Sequence, residues 1–196
     1  MNKKRYTGYI IGGIVVLLGI FLIVSYNGLV KKEEKIKKQW AEVQNAYQRR
    51  MDLIPTLVNV VKGNANYEQN TLQQVVEARS RAASVTVSSG DISANSYQGQ
   101  AKAQDELAAS ANRLLVTVEK YPELRGSEAF TGLQVQLEGT ERRIKIARKD
   151  FNESMQSYNS SVRSFPTSLV ANMFGFKAKD GFSSDAGADK ATEIKF

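Results

Sequence analysis

From Tyr9 to Val24 the chain is apolar all round, inside a run of 25 uncharged residues from Tyr6 to Val30. About 20 helical residues at about 1.5 Å each cross a hydrocarbon layer of about 30 Å, so this run predicts a membrane-spanning helix. Lys3, Lys4 and Arg5 bound it on one side, Lys31 and Lys32 on the other. Tyr6, Tyr9 and Tyr26 stand where interfacial aromatics are expected. After it the pattern changes. Apolar residues recur at steps of three and four, the period of amphipathic helices. One stripe runs Ile36, Trp40, Val43, Tyr47, Met51, Ile54; a second Leu57, Val61, Ala65, Leu72, Val75, Ala82. A third runs from Ala94 through Tyr97, Leu107 and Leu114 to Val118, and the longest from Phe130 through Leu137, Ile144, Phe151 and Tyr158 to Phe165. Only the short Val85-Thr86-Val87 alternates as a strand would.

The breaks between stripes are legible. Ser88-Ser89-Gly90-Asp91 is a turn cluster, Pro122 closes the third stripe, Ser127 is the expected N-cap of the fourth helix, and Pro166 ends it. Pro55 reads two ways. The stripe keeps its register across it (47, 51, 54, 58, 61), which favours one kinked helix. A single helix from 29 to 86 would be about 87 Å long and overhang its partners, which favours a turn. The expected fold is all-α: one N-terminal transmembrane helix followed by an antiparallel four-helix up-down bundle. The alternative is three long helices with a kink at Pro55. The organisation follows: residues 1–30 the anchor, 31–166 the bundle, 167–196 a C-terminal tail. In that tail Ser168–Phe176 is apolar enough to dock on the bundle or the membrane, and the part after Lys177, rich in Gly, Ser, Asp, Ala and Lys, is expected to be disordered.

Composition narrows the chemistry. The chain has no Cys and no His, which removes disulfides, thiolate and imidazole metal sites, and Ser-His-Asp or Cys-His catalysis. The net charge of +7 does not point to nucleic acid. Residues 1–50 hold 10 basic and 3 acidic residues, while 51–196 hold 17 of each, so the whole excess flanks the apolar run. A cleaved signal peptide would have a shorter apolar core and a small-residue cleavage site, and Val24-Ser25-Tyr26-Asn27-Gly28 offers none. The compact basic tail before the span favours a cytoplasmic N-terminus, while counting basic residues after it favours the opposite. The reading adopted is a single-pass protein of the cytoplasmic membrane with its body outside the cytoplasm.

Taken together, certain motifs carry a family signature. They are Gln48-Arg49-Arg50-Met51-Asp52-Leu53-Ile54-Pro55-Thr56-Leu57-Val58, then Tyr121-Pro122-Glu123-Leu124, Leu137-Glu138-Gly139-Thr140-Glu141-Arg142-Arg143-Ile144, Ala147-Arg148, Tyr158-Asn159 and Phe165-Pro166. Over about residues 24–176 the chain resembles the bacterial LemA family. That resemblance implies a membrane-anchored antiparallel four-helix bundle and places a turn at Pro55. It supplies no established activity, and implies through genomic association a membrane zinc metalloprotease as a partner of some members. Thr56, Asn64, Tyr67 and Arg142 depart from the family's usual residues.

The candidate binding residues are two groups. The first is Arg49, Arg50 and Asp52: the two arginines could hold an acidic partner or lipid phosphates, or else Arg49 or Arg50 could fix helix packing by pairing with Asp52, Glu138 or Glu141. Lys31, Lys32, Lys35, Lys37 and Lys38 could face anionic headgroups, or form a solvated helix supported by a Glu34–Lys38 pair. Glu138 and Glu141 are helix-face neighbours with arginines beside them, and imply no acid–base pair. No catalytic residue, metal or cofactor is expected. The expected role is a non-enzymatic scaffold or adaptor for another membrane or envelope protein, with the lipid bilayer as the first partner. A binder of a peptide, lipid or small molecule on the bundle surface is the alternative.

Overall fold

A computed structural model describes residues 3–63, 69–85, 87 and 94–182. Every described element is a helix: α1 (Lys3–Lys62), α2 (Gln69–Ser84), α3 (Ala94–Val118), the short α4 (Pro122–Arg125), α5 (Glu128–Arg163) and α6 (Thr167–Phe174). The Ser88–Asp91 turn cluster and the departures at Asn64 and Tyr67 lie outside the described residues.

The all-α bundle is as expected, with a correction at Pro55. Pro55 is not a turn: α1 runs unbroken through it for 60 residues, carrying the apolar span straight into the bundle. Proline has no N–H, so the carbonyl four residues back, that of Met51, loses its helical donor. The Arg79 Nε of α2 fills that place, donating to Met51 O at 3.0 Å. The helix ends instead at Gly63, whose N–H still bonds Asn59 O at 3.2 Å. The length argument failed because it ran the helix on to residue 86, while α2 starts afresh at Gln69.

α5 packs against the body of α1 along most of its length, and α2 against α3. The Arg50–Glu141 and Lys32–Ser161 pairs show that α1 and α5 are antiparallel. Two apolar clusters fill the interior. The one far from the span joins Leu57 and Val61 to Val75, Leu114, Phe130 and Leu133. The one near the span joins Trp40 and Tyr47 to Tyr97, Ile144, Phe151 and Tyr158. Burying such side chains stabilises by roughly 1.5–3 kcal/mol each, which is what the three-four spacing of the stripes encodes. Ser127 caps α5 as expected, its Oγ accepting from Phe130 N at 3.3 Å.

α2 is short, 16 residues, and contributes only to the far cluster. Near the span the tail takes part in the core instead, which corrects the expectation of disorder after Lys177 for residues 178–182. Two asparagines on α5 grip its backbone as a neighbouring strand would. Asn159 bonds Lys179 N and O at 2.8 and 2.6 Å, and Asn152 bonds Phe182 N and O at 2.8 and 3.2 Å. Gly181 permits this approach, because a Cβ there would stand 2.7 Å from Asn152 Oδ1. Phe182 delivers its ring to Tyr97, Phe151 and Trp40, with centroids 5.1, 5.2 and 6.1 Å away. Residues 183–196 lie outside the described part of the chain.

Candidate functional site

The sequence-predicted residues separate into structural and exposed groups. Arg50 is one of the largest buried side chains, 2% exposed. It lies between the two apolar clusters and joins three helices there. Its Nη2 donates to Glu141 Oε2 of α5 at 2.5 Å, and its Nη1 to Gln104 O of α3 at 2.7 Å. The neighbouring Gln104 and Thr140 are also buried, so a polar layer interrupts an otherwise apolar core. Position explains why Arg50 is inside and Arg49 is not. Residue 50 stands three after Tyr47 and four before Ile54, on the buried stripe, and Arg49 falls a residue off it. Arg49 is exposed and reaches Gln136 Oε1 at 3.2 Å. Asp52 is exposed and accepts from Gln48 Nε2 at 2.7 Å, one turn back on its own helix. The cluster thus splits over opposite faces of α1.

Of the basic segment after the span, Lys31, Lys35 and Lys38 point outward. Lys32 is half-buried and donates to Ser157 O at 3.1 Å and to Ser161 Oγ, tying α1 to α5. Glu34 pairs with Lys37 at 2.6 Å, rather than with Lys38 as the sequence led us to expect. At three residues' separation the two side chains are neighbours on the helix, and an exposed pair of this kind contributes little.

Sequence reasoning passed over one hub, Arg148 on α5. It forks onto Asp105 of α3, with Nη2 to Oδ1 at 2.7 Å, and donates from Nε to Tyr47 Oη at 2.8 Å. Its guanidinium also lies over the Tyr47 and Phe182 rings, 5.5 and 5.4 Å from their centroids. The signal was available, since Arg148 stands four after Ile144 and three before Phe151 on a buried stripe. Burial pushes the Tyr47 phenol up, with Arg148 opposing it.

Tyr97 lies beside this hub, against the same Phe182 ring. Its Oη donates toward the carbonyl oxygens of Asp180 and Gly181, the latter at 3.0 Å. Burial first, then the Asp180 carboxylate, push its phenol up to about 12 from 10.0. A raised folded-state value means the neutral phenol is favoured by folding. Its contribution is whole below pH 10, and is lost as pH rises from 10 through about 12. Tyr97→Phe is expected to flatten the alkaline fall in stability over that window, and to loosen the tail at neutral pH. Chemical unfolding at several pH values checks the first, and hydrogen exchange of residues 179–182 the second.

An open groove of about 380 Å³ runs between α1 and α5 on the outer face. Glu42, Arg49, Arg143 and Asp150 line it, with Ala46 and Ile146 between them. The antiparallel register sets Glu42 and Asp150 toward one end of it and Arg49 and Arg143 toward the other, and Arg143 is exposed. Among the described residues no three acidic side chains come together as a metal cluster.

The model of the LemA family matches residues 39–196. The chain is 22% identical to protein LemA of Metamycoplasma hominis over 80% of its own length and 69% of that protein's. It is also 22% identical to the magnetosome protein MamQ of Magnetospirillum gryphiswaldense, over 86% of this chain and 68% of MamQ. A MamQ of Paramagnetospirillum magneticum matches with the same identity and coverage.

Proposed function

The chain belongs to the LemA family, and from that premise we propose that it is a non-enzymatic, membrane-anchored scaffold that presents its α1–α5 face to another membrane or envelope protein. The observation that carries the reading is the unbroken α1, in which the apolar span and the bundle's central helix are one rod of 60 residues. A bundle on a flexible linker would sample all orientations. A bundle built on the span itself holds one face at a fixed height and heading, and confinement to the membrane raises its effective concentration toward partners there.

The fate of the polar residues supports a surface rather than a reaction centre. Arg50, Arg148, Asp105 and Glu141 are engaged in helix-to-helix bonds. The exposed Arg49 and Arg143 remain at the rim of the groove and can receive acidic side chains. The body lies outside the cytoplasm in this proposal, and a membrane zinc metalloprotease is one partner of the required kind.

Photocrosslinking tests the reading in intact membranes. A photoreactive residue at Ile146, in the groove and 57% exposed, is expected to give a discrete protein adduct. One at Val116, 64% exposed on α3, should not. The double variant Arg49→Glu/Arg143→Glu should abolish the adduct without unfolding the bundle. No adduct at Ile146, or one indifferent to those charges, counts against the proposal.

A further inference from the structure

α6 packs on α1 and α5 at the end of the bundle nearest the span. It packs beside the final turns of the apolar span. The Tyr26 ring meets Phe174 edge-on with centroids 5.0 Å apart, and Phe176 at 5.6 Å. Exposure along α1 marks the same place. Residues 8–18 are all exposed, Phe21, Leu22, Ser25 and Gly28 are half-covered, and Leu29 is buried. The inner face of α6 is Val170 and Ala171, both sealed against α1 and α5.

Its outer face is apolar and uncovered. Phe165 is 81% exposed, Leu169 61%, Met173 60% and Phe174 51%. Leu169 and Met173 stand four apart on α6, so they share one side, and Phe165 precedes the helix. From Ser164 to Phe176 there is no charged residue, and Arg163 and Lys177 close the stretch at its two ends. Left in water, four such side chains within ten consecutive positions would be a costly patch. Their height along α1 says what covers them. Tyr26 lies five residues before Lys31, so the end of α6 stands about 7 Å to the membrane side of the first lysine after the span. That is the level of the headgroup–acyl boundary, where amphipathic helices bury an apolar face by about 5–10 Å and keep basic residues among the phosphates.

We infer that α6, together with Phe165, is an interfacial membrane helix: a second contact with the lipid bilayer, continuous with the span, its apolar side in the acyl boundary and Arg163 and Lys177 at the phosphates. A lone span rotates about its axis. A span with α6 seated beside it does not, because α6 is packed on both α1 and α5, and the heading of the whole bundle is then set by lipid. The inference rests on the membrane-anchor reading and is independent of the scaffold role.

The absence of native cysteine makes the test direct. Four single variants of the full chain, Val16→Cys, Leu169→Cys, Met173→Cys and Val116→Cys, carry an NBD fluorophore. Each is reconstituted in phosphatidylcholine–phosphatidylglycerol vesicles, with lipids brominated either near the headgroup or near the chain end. Leu169 and Met173 are expected to show blue-shifted emission, quenched most by the shallow bromines. Val16 should be quenched most by the deep ones, and Val116 should stay water-like and unquenched. Two labelled positions on α6 guard against one label distorting the helix. If Leu169 and Met173 behave like Val116 while Val16 is dry, the anchor stands and the inference falls. If Val16 is water-like too, both fall. Blue-shifted emission at Leu169 and Met173 without bromine quenching would mean that protein, such as a second copy of the chain, covers α6, and this also overturns it.

Discussion

Arg50→Ala is expected to lower the stability of the bundle by about 3–5 kcal/mol, the range for emptying a large core position. Trp40, the chain's one tryptophan and fully buried, reports the unfolding in detergent. The cost has two parts. The substitution opens a hole where α1, α3 and α5 meet. It also strands the amide of Gln104, which is completely buried. Its Oε1 has Arg50 Nη1 as donor at 3.4 Å, and its Nε2 meets no partner among the described residues. Glu141→Gln fails for a different reason. Glu141 is 44% exposed and would be solvated on its own, but the guanidinium it leaves behind is not. Removing both charges at once, as Arg50→Met/Glu141→Leu, is expected to recover most of the loss, since the desolvation of the pair disappears with it. If Arg50→Ala costs under about 1 kcal/mol, the pair is behaving as a surface one and the polar layer is not holding the helices.

If the double variant recovers stability, the layer's role is alignment. An arginine that must meet Glu141 on one helix and Gln104 on another admits one vertical register of α1 against α3 and α5. The apolar clusters on either side, of similar side chains repeated every turn, would tolerate slippage by a turn at far smaller cost.

What the sequence made legible follows from the range of each interaction. The stripes and the caps at Ser127 and Pro122 are local, so α3 and α5 were placed nearly to the residue. The Arg49–Arg50–Asp52 cluster was recognised as distinctive, yet its division between inside and outside needed the helical phase of each residue rather than their adjacency. The tail was misjudged because composition was averaged over it. A single phenylalanine at 182, gripped through Asn152, outweighs the Gly, Asp and Lys around it. The exposed side of α6 was visible as an apolar stretch, but only its place beside Tyr26 tells bundle from bilayer.

Pro55 is the sharpest case, and it carries the second prediction. Inside a helix a proline costs about 3 kcal/mol or more, partly through the orphaned carbonyl one turn back. Here that carbonyl, Met51 O, is claimed by Arg79, 28 residues further on, so near Pro55 the only local sign of a continuous helix is the register that the apolar stripe keeps across it. The proline in turn gives α2 its purchase on α1, because an occupied helical carbonyl would accept Arg79 less well. Pro55→Ala is therefore expected to stabilise α1 by about 1–3 kcal/mol, the gain from the restored bond and relieved clash less the weakened Arg79 contact. Arg79→Ala alone should cost about 1–3 kcal/mol, because Met51 O then has no donor. In the Pro55→Ala background the same change should cost well under half as much, which gives a coupling on the order of 1 kcal/mol in a double-mutant cycle. Hydrogen exchange adds a local readout: with Arg79 removed, the amides following Pro55 should lose protection before those of α5 do. An Arg79→Ala cost that is the same in both backgrounds would mean that α2 is held by its apolar face alone, and that the helix accommodates Pro55 by some other means.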